Sequence, residues 1–179
     1  MQNNTSVSLH RLTETGLIAA LYAVLTLCLP MASFGVVQFR FSEALTVLPV
    51  FSRTSIGGLT LGCAIANTIG LAMGANVAGA WDILIGSSAT LAAAWLSYAL
   101  RRVRWKGLPL LAVWPPVLIN AVLIGAELNT VLFGGASDSL WWMMLQVGIG
   151  QLVPCVVGGL FLVFVLDKGK ISQKIFQNR

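Results

Sequence analysis

Three carboxylates, Glu43, Asp82 and Glu127, stand in or beside long apolar runs of this 179-residue chain. A charged side chain near the centre of a bilayer costs about 2.5–3.5 kcal/mol on insertion scales, so each of the three marks a candidate functional position. Amides accompany them at Asn67, Asn76, Asn120 and Asn129, with Gln146 near Trp141 and Trp142 and with Trp81 directly before Asp82. A carboxylate accepts paired hydrogen bonds from a guanidine-like N–H edge, amides read carbonyls and ring nitrogens, and aromatic faces stack on flat rings. Together they suit a cavity for a small polar ring, with tryptophans at its rim. Simpler roles stand beside this one: Trp141 and Trp142 as interfacial anchors, and Asn120 as a hydrogen bond between helices.

The stretch Val37-Gln38-Phe39-Arg40-Phe41-Ser42-Glu43 alternates apolar and polar side chains, which predicts an extended, lid-like segment. Arg40 and Glu43, three residues apart, either pair with one another or face the ligand, with Glu43 the better contact. No catalytic set accompanies them. The single histidine, His10, lies in the polar N-terminal segment, and no HExxH, Walker or GxSxG motif occurs. Cys28, Cys63 and Cys155 lie far apart in apolar runs without CxxC spacing, so neither a disulfide nor a metal framework is expected, nor any cofactor held by this chain.

The elements that must position these residues are membrane helices. The chain is 57% hydrophobic and 9% charged, too little charge to cover a soluble domain. A hydrocarbon core about 30 Å thick takes roughly 20 apolar residues as helix. The apolar runs predict an all-α integral membrane protein, a single domain over 1–179, with six spans at about 16–33, 43–53, 55–75, 80–100, 108–127 and 141–166. The second is short for a span. The first 15 residues are polar, so a retained first span rather than a cleaved leader is expected.

Basic residues set the orientation. With six spans and both termini cytoplasmic, Arg11, Arg53, Arg101, Arg102, Arg104, Lys106, Lys168, Lys170, Lys174 and Arg179 fall inside and Arg40 alone outside, ten of the 11 Lys and Arg against one. These residues sit at the edges of apolar runs, so the net charge of +5 reads as a topology signal and not as a nucleic-acid surface. Glu43, Asp82, Glu127 and Asp138 then lie toward the outer face, the last as a solvated carboxylate in a Gly/Ser-rich loop.

Gly58, Gly62, Ala66, Gly70 and Gly74 recur every fourth residue, a ridge that lets a neighbouring helix approach closely. Ala19 and Ala23 repeat the spacing in the first span, fitting either bundle packing or a partner-docking face. Gly150, Pro154 and Gly158 mark a kinked helix. No internal repeat of the kind that builds many secondary transporters is visible.

The segments FGVVQFRFSEALTVLPVF, IGGLTLGCAIANTIG and WDILIGSSATLAAAWLSY resemble the substrate-binding S components of energy-coupling-factor transporters, and within them the QueT family. The resemblance covers nearly the whole chain; its specific parts are Gln38 to Pro49 and Asp82 to Leu91. It implies a six-helix subunit of the bacterial cytoplasmic membrane that captures a small molecule outside and docks on a shared module. That module comprises a transmembrane T component and two ATPases, so that ATP is used by the partners. It further implies that Ala19 and Ala23 lie on the docking face and that the ligand is a 7-deazaguanine such as the 7-aminomethyl compound. The site residues expected are Gln38, Arg40, Glu43, Asn67, Asn76, Trp81, Asp82, Asn120, Glu127, Trp142 and Gln146, with Glu43 or Glu127 on the guanine-like edge and Asp82 in one of the two acidic roles. An S component for another micronutrient and a stand-alone membrane transporter or channel are the alternatives.

Overall fold

The computed structural model describes residues 2–105 and 107–168. Lys106, Lys170, Lys174 and Arg179, counted in the charge asymmetry, lie outside the described residues. The described chain is helical: α1 (Gln2–Leu27), α2 (Pro30–Ser33), α3 (Thr54–Ala72), α4 (Trp81–Ala99), α5 (Trp114–Phe133), α6 (Ser137–Leu152) and α7 (Gly159–Lys168). A tight 3-10 helix covers Phe41–Val50, and a π-helical turn, Val153–Gly158, joins α6 to α7 at Pro154. The expected kink there is this widened turn, which absorbs the proline's missing N–H.

Four helical stretches are long and apolar enough to cross a membrane, where the sequence predicted six spans: Thr54–Ala72, Trp81–Arg102, Leu110–Phe133 and Ser137–Lys168. The other two expected spans fall short for local reasons. The apolar part of α1 stops at Leu27, because Pro30 cannot continue the helix and a separate short turn, α2, begins there. The predicted span 43–53 is the ten-residue 3-10 helix Phe41–Val50. At about 2 Å per residue it covers roughly 20 Å, less than the hydrocarbon thickness. Pro49 lies inside it and lacks the donor for an α-type bond, while Thr46 turns its hydroxyl back to the Glu43 carbonyl at 2.5 Å.

α5 also differs from the predicted 108–127. Nothing breaks the helix after Glu127; it runs on to Phe133 and ends at Gly134, whose φ of 61° is the left-handed cap that favours glycine. Glu127 therefore lies inside a helix, not at its end. Asp138, expected in a loop, is exposed in the first turn of α6, where a carboxylate complements the helix dipole.

The polarity of the packing is that of a protein in lipid. Large apolar side chains such as Leu84, Trp95, Leu118, Val122 and Phe161 point outward from the long helices, while Arg40, Glu43, Asn67, Asp82, Asn120 and Gln151 are buried. The 3-10 helix is buried on nearly every side, packed against α1, α4, α7 and the π turn. Its Leu45, Val47 and Leu48 join Tyr22, Leu59, Val113 and Val163 in one apolar core, while Ala89, Ile124, Leu128, Met143 and Val147 form a second among α4, α5 and α6.

The four-residue stripe packs α3 on α1. A methyl group added at Gly58 would lie 2.8 Å from Ile18 Cβ, and one at Gly62 would lie 2.8 Å from both the Ala19 carbonyl and Tyr22 Cβ. One at Gly70 would strike the Phe34 ring. Ala19 and Ala23 are consequently buried under α3, which corrects their expected place on a free docking face; Gly16, Ala20 and Val24 carry the exposed line of α1 instead. Gly74 lies beyond the end of α3 with open space around it, so the stripe ends functionally at Gly70.

Arg104 Nη1 meets Asp167 Oδ2 at 3.4 Å, so the segment after α4 and the end of α7 share one end of the bundle. This pair is exposed and contributes little stability.

Candidate functional site

Asp82, in the first turn of α4, is fully buried and is the hub of a polar cluster. Its Oδ2 accepts from Arg40 Nη2 and from Asn76 Nδ2, both at 2.9 Å. Its backbone carbonyl accepts from Asn67 Nδ2 at 2.6 Å. Its remaining oxygen, Oδ1, sits over Gly86 one turn along α4, in the space a side chain there would fill, with Asn67 on the far side of that space. Four pieces of chain converge on one carboxylate: the segment before the 3-10 helix, α3, the α3–α4 loop and α4.

Arg40 reaches this hub from the stretch expected to be a strand. No strand forms at 34–40. Phe39 N–H bonds back to the Ala32 carbonyl at 2.9 Å, and Gln38 takes a left-handed φ of 54°, so the stretch turns instead of extending. The alternation survives in burial, with Gln38, Arg40 and Ser42 inside and Val37 and Phe41 exposed. Arg40 does not form an ion pair with Glu43. It donates from Nε to the Ser33 carbonyl at 2.9 Å, pairs with Asp82, and lies 5.3 Å from the centre of the Phe34 ring. A non-glycine residue at positive φ is strained by about 1–3 kcal/mol and persists where its surroundings dictate it. At Gln38 they do: Gln151 Nε2 donates to its carbonyl at 2.9 Å, and the neighbouring Val37 carbonyl lies so close to Gly150 that no side chain fits there.

Glu43 occupies the first turn of the 3-10 helix and is buried. Tyr22 donates its hydroxyl to Glu43 Oε1 at 2.5 Å, and Asn120 lies beside the carboxylate. Thr26 and Ser42 share a hydrogen bond of 2.7 Å next to it. Asn120 in turn donates to Gln151 Oε1 at 3.3 Å, which also accepts from the Cys155 thiol at 3.3 Å. The 3-10 helix leads into α3 through residues 51–53.

Unsatisfied atoms mark what this cluster lacks. Gln38 Nε2, Glu43 Oε2, Asn67 Oδ1, Asp82 Oδ1, both Glu127 oxygens and Gln146 Oε1 are buried without a hydrogen-bond partner. Buried polar groups in native proteins are nearly always paired, and each orphan carboxylate oxygen costs more than about 1–3 kcal/mol. Those on Gln38, Glu43, Asn67 and Asp82 fall within this cluster, as in a site completed by a ligand or by water, while Glu14 Oε1, Ser87 Oγ and Ser97 Oγ are unpartnered as well. Glu127 is near enough to feel the charges of Asp82 and Arg40 but bonds to neither. It shares the inward face of α5 with Asn120, seven residues and two turns away.

The structure thus brings together Gln38, Arg40, Glu43, Asn67, Asn76, Asp82, Asn120 and Glu127. It does not bring in Trp81 or Trp142, which are 65% and 57% exposed and face outward with Trp141. Gln146 is half-buried on α6. Asn129 ties the α5–α6 turn, bonding the Ala136 carbonyl and Ser139. Tyr22 and Gln151 were missed by sequence reasoning, although a lone hydroxyl in AALYA and a lone amide in GIGQLV are both polar atoms at membrane depth that need partners.

A family described as QueT transporter matches residues 12–168. The chain belongs to the QueT transporter family. It is also similar to the protein named queuosine precursor transporter QueT of Lactococcus lactis subsp. cremoris (strain MG1363), 35% identical over 85 residues, 46% of each chain. The match thus spans about half the length of that relative. No solved structure matches the chain. The buried polar cluster falls inside the region that defines the family, and membership makes the chain a multi-pass membrane transport protein in keeping with its long apolar helices.

Proposed function

We propose that this chain is the substrate-binding S component of an energy-coupling-factor importer that captures a queuosine precursor, a 7-deazaguanine such as 7-aminomethyl-7-deazaguanine. The observation that carries the reading is the set of buried, unpartnered polar atoms on Gln38, Glu43 and Glu127, beside the Arg40–Asp82 ion pair. A flat ring with N–H groups on one edge and an amine on an arm supplies donors, which is what orphan carboxylate oxygens require. The name of the lactococcal relative points to the same class of ligand.

In this reading the chain sits in the bacterial cytoplasmic membrane with both termini inside and the Arg40-containing segment outside. The interrupted α1–α2 stretch and the short 3-10 helix complete six passes within the shelter of the four long helices. A T component and two ATPases complete the importer and hydrolyse ATP; this chain catalyses no reaction. Docking on the T component uses the exposed line Gly16, Ala20 and Val24 of α1, four residues apart, where small side chains allow close helix approach.

Titration of the purified protein with 7-aminomethyl-7-deazaguanine tests the ligand, and saturable binding that disappears in Glu43→Gln is the expected result. Absence of binding, alongside binding of an unrelated vitamin, refutes it. Co-purification of the four-subunit importer, lost in Ala20→Trp but kept in wild type, tests the docking face.

A further inference from the structure

We infer that Glu127 is the specificity-determining residue that reads a positive charge on the ligand, while Asp82 positions the site by holding Arg40. This assignment rests on the proposed function and deepens it. Among the described residues the ion pairs are Arg40–Asp82 and Arg104–Asp167. Arg40, the one basic residue in the cluster, is therefore already neutralised. Asp82 spends Oδ2 on Arg40 and Asn76, and its Oδ1 lies over Gly86 of its own helix, with Asn67 Nδ2 bordering the same space.

The two remaining acids differ in how they are held. Glu43 is fixed by the Tyr22 hydroxyl on one oxygen and leaves the other free, a rigid acceptor suited to a planar N–H edge. Glu127 is 5% exposed, and neither of its oxygens has a partner. A carboxylate with no hydrogen bond to fix its plane suits an ammonium, a compact charge with three rotatable donors. The geometry along α5 agrees. Asn120 marks the level of Glu43, and Glu127 lies seven residues further on the same face, about 10 Å at 1.5 Å per residue. That offset is comparable with a bicyclic base carrying a one-carbon amine arm.

The test compares 7-aminomethyl-7-deazaguanine with 7-methyl-7-deazaguanine, which keeps the ring and lacks the amine, on the purified full chain. Wild type is expected to favour the amine roughly 10- to 100-fold, the value of a hydrogen-bonded charge converted to affinity. Glu127→Gln is expected to bring that ratio close to one by weakening the amine compound far more than the methyl compound, while Glu43→Gln weakens both. Glu127→Asp, which keeps the charge on a shorter arm, is expected to retain a preference for the amine and covers the case in which the glutamine variant does not fold. An unchanged ratio in Glu127→Gln, equal weakening of both compounds there, or loss of the preference in Glu127→Asp overturns the assignment while leaving the ligand class intact. Failure of wild type to bind either compound overturns the proposed function and this assignment with it.

Discussion

Removing the Asp82 charge is the most revealing single perturbation of this molecule. Asp82→Asn keeps the shape and an oxygen that still accepts from Asn76, but strips the counter-charge from Arg40, whose side chain is 4% exposed against 0% for Asp82. Arg40 is left with the Ser33 carbonyl, the Phe34 ring face and the Cys63 sulfur at 4.0 Å, none of them charged. Breaking a buried pair by removing one partner costs about 3–5 kcal/mol, because the survivor stays buried and uncompensated. For a chain of this size each kcal/mol moves Tm by about 2–4 °C, so a drop of roughly 6–20 °C is expected in thermal unfolding of the detergent-solubilised protein. The double variant Arg40→Met with Asp82→Asn removes both charges and is expected to recover most of that loss, a coupling of at least about 1 kcal/mol. A drop below about 2 °C in the single variant, or a double variant as unstable as the sum of the two singles, refutes the hub described for Asp82.

Three further outcomes follow from contacts of the same kind. Gly62→Leu places a large side chain against the Ala19 carbonyl and Tyr22 Cβ and is expected to separate α1 from α3; loss of a monodisperse folded species on size-exclusion chromatography checks it, with Gly74→Ala at the open position as the milder comparison, its cost confined to the positive φ. Tyr22→Phe deletes the hydroxyl from Glu43 and leaves a buried carboxylate with both oxygens unpaired, a loss of about 1–3 kcal/mol visible as a lower Tm. Gly150→Ala drives a methyl into the Val37 carbonyl, and the displaced 34–40 segment is expected to weaken ligand binding at least severalfold in the same titration, with far-UV circular dichroism unchanged.

Much of the fold is legible because lipid imposes a plain code. Apolar runs near 55–75, 80–100, 108–127 and 141–166 correspond to four long helices, since backbone groups in hydrocarbon are satisfied within a helix. The departures occur where proline intervenes. Pro30 cuts the first run short and the second is a ten-residue 3-10 helix with Pro49 near its end, and in both places hydropathy alone still reads membrane. The end of α5 was misplaced because a charged residue resembles a boundary, whereas Glu is a good helix former and the actual stop is Gly134.

The candidate site was legible by residue type more than by role. Polar atoms at membrane depth are few and costly, so Gln38, Arg40, Glu43, Asn67, Asn76, Asp82, Asn120 and Glu127 announce themselves in the sequence, and the structure buries every one of them. Trp81 and Trp142 do not join them, since an aromatic near a polar residue in sequence faces outward as readily as inward.

The sequence by itself determined the membrane setting, the helical elements and the small set of polar groups that must find partners. Only the tertiary structure decided the pairing. Arg40 has Glu43 three residues away yet binds Asp82, 42 residues distant, because a turn at Gln38 and the close approach of α3 and α4 bring that carboxylate within 2.9 Å. The same approach separates three acids that look equivalent in one dimension: Asp82 holds Arg40 and Asn76 through one oxygen, Glu43 is half held by Tyr22, and Glu127 is left open. Local spacing fixes which face of a helix a residue occupies, but the neighbour it meets depends on how helices distant in sequence rotate and close upon one another, and here glycine and proline set those distances.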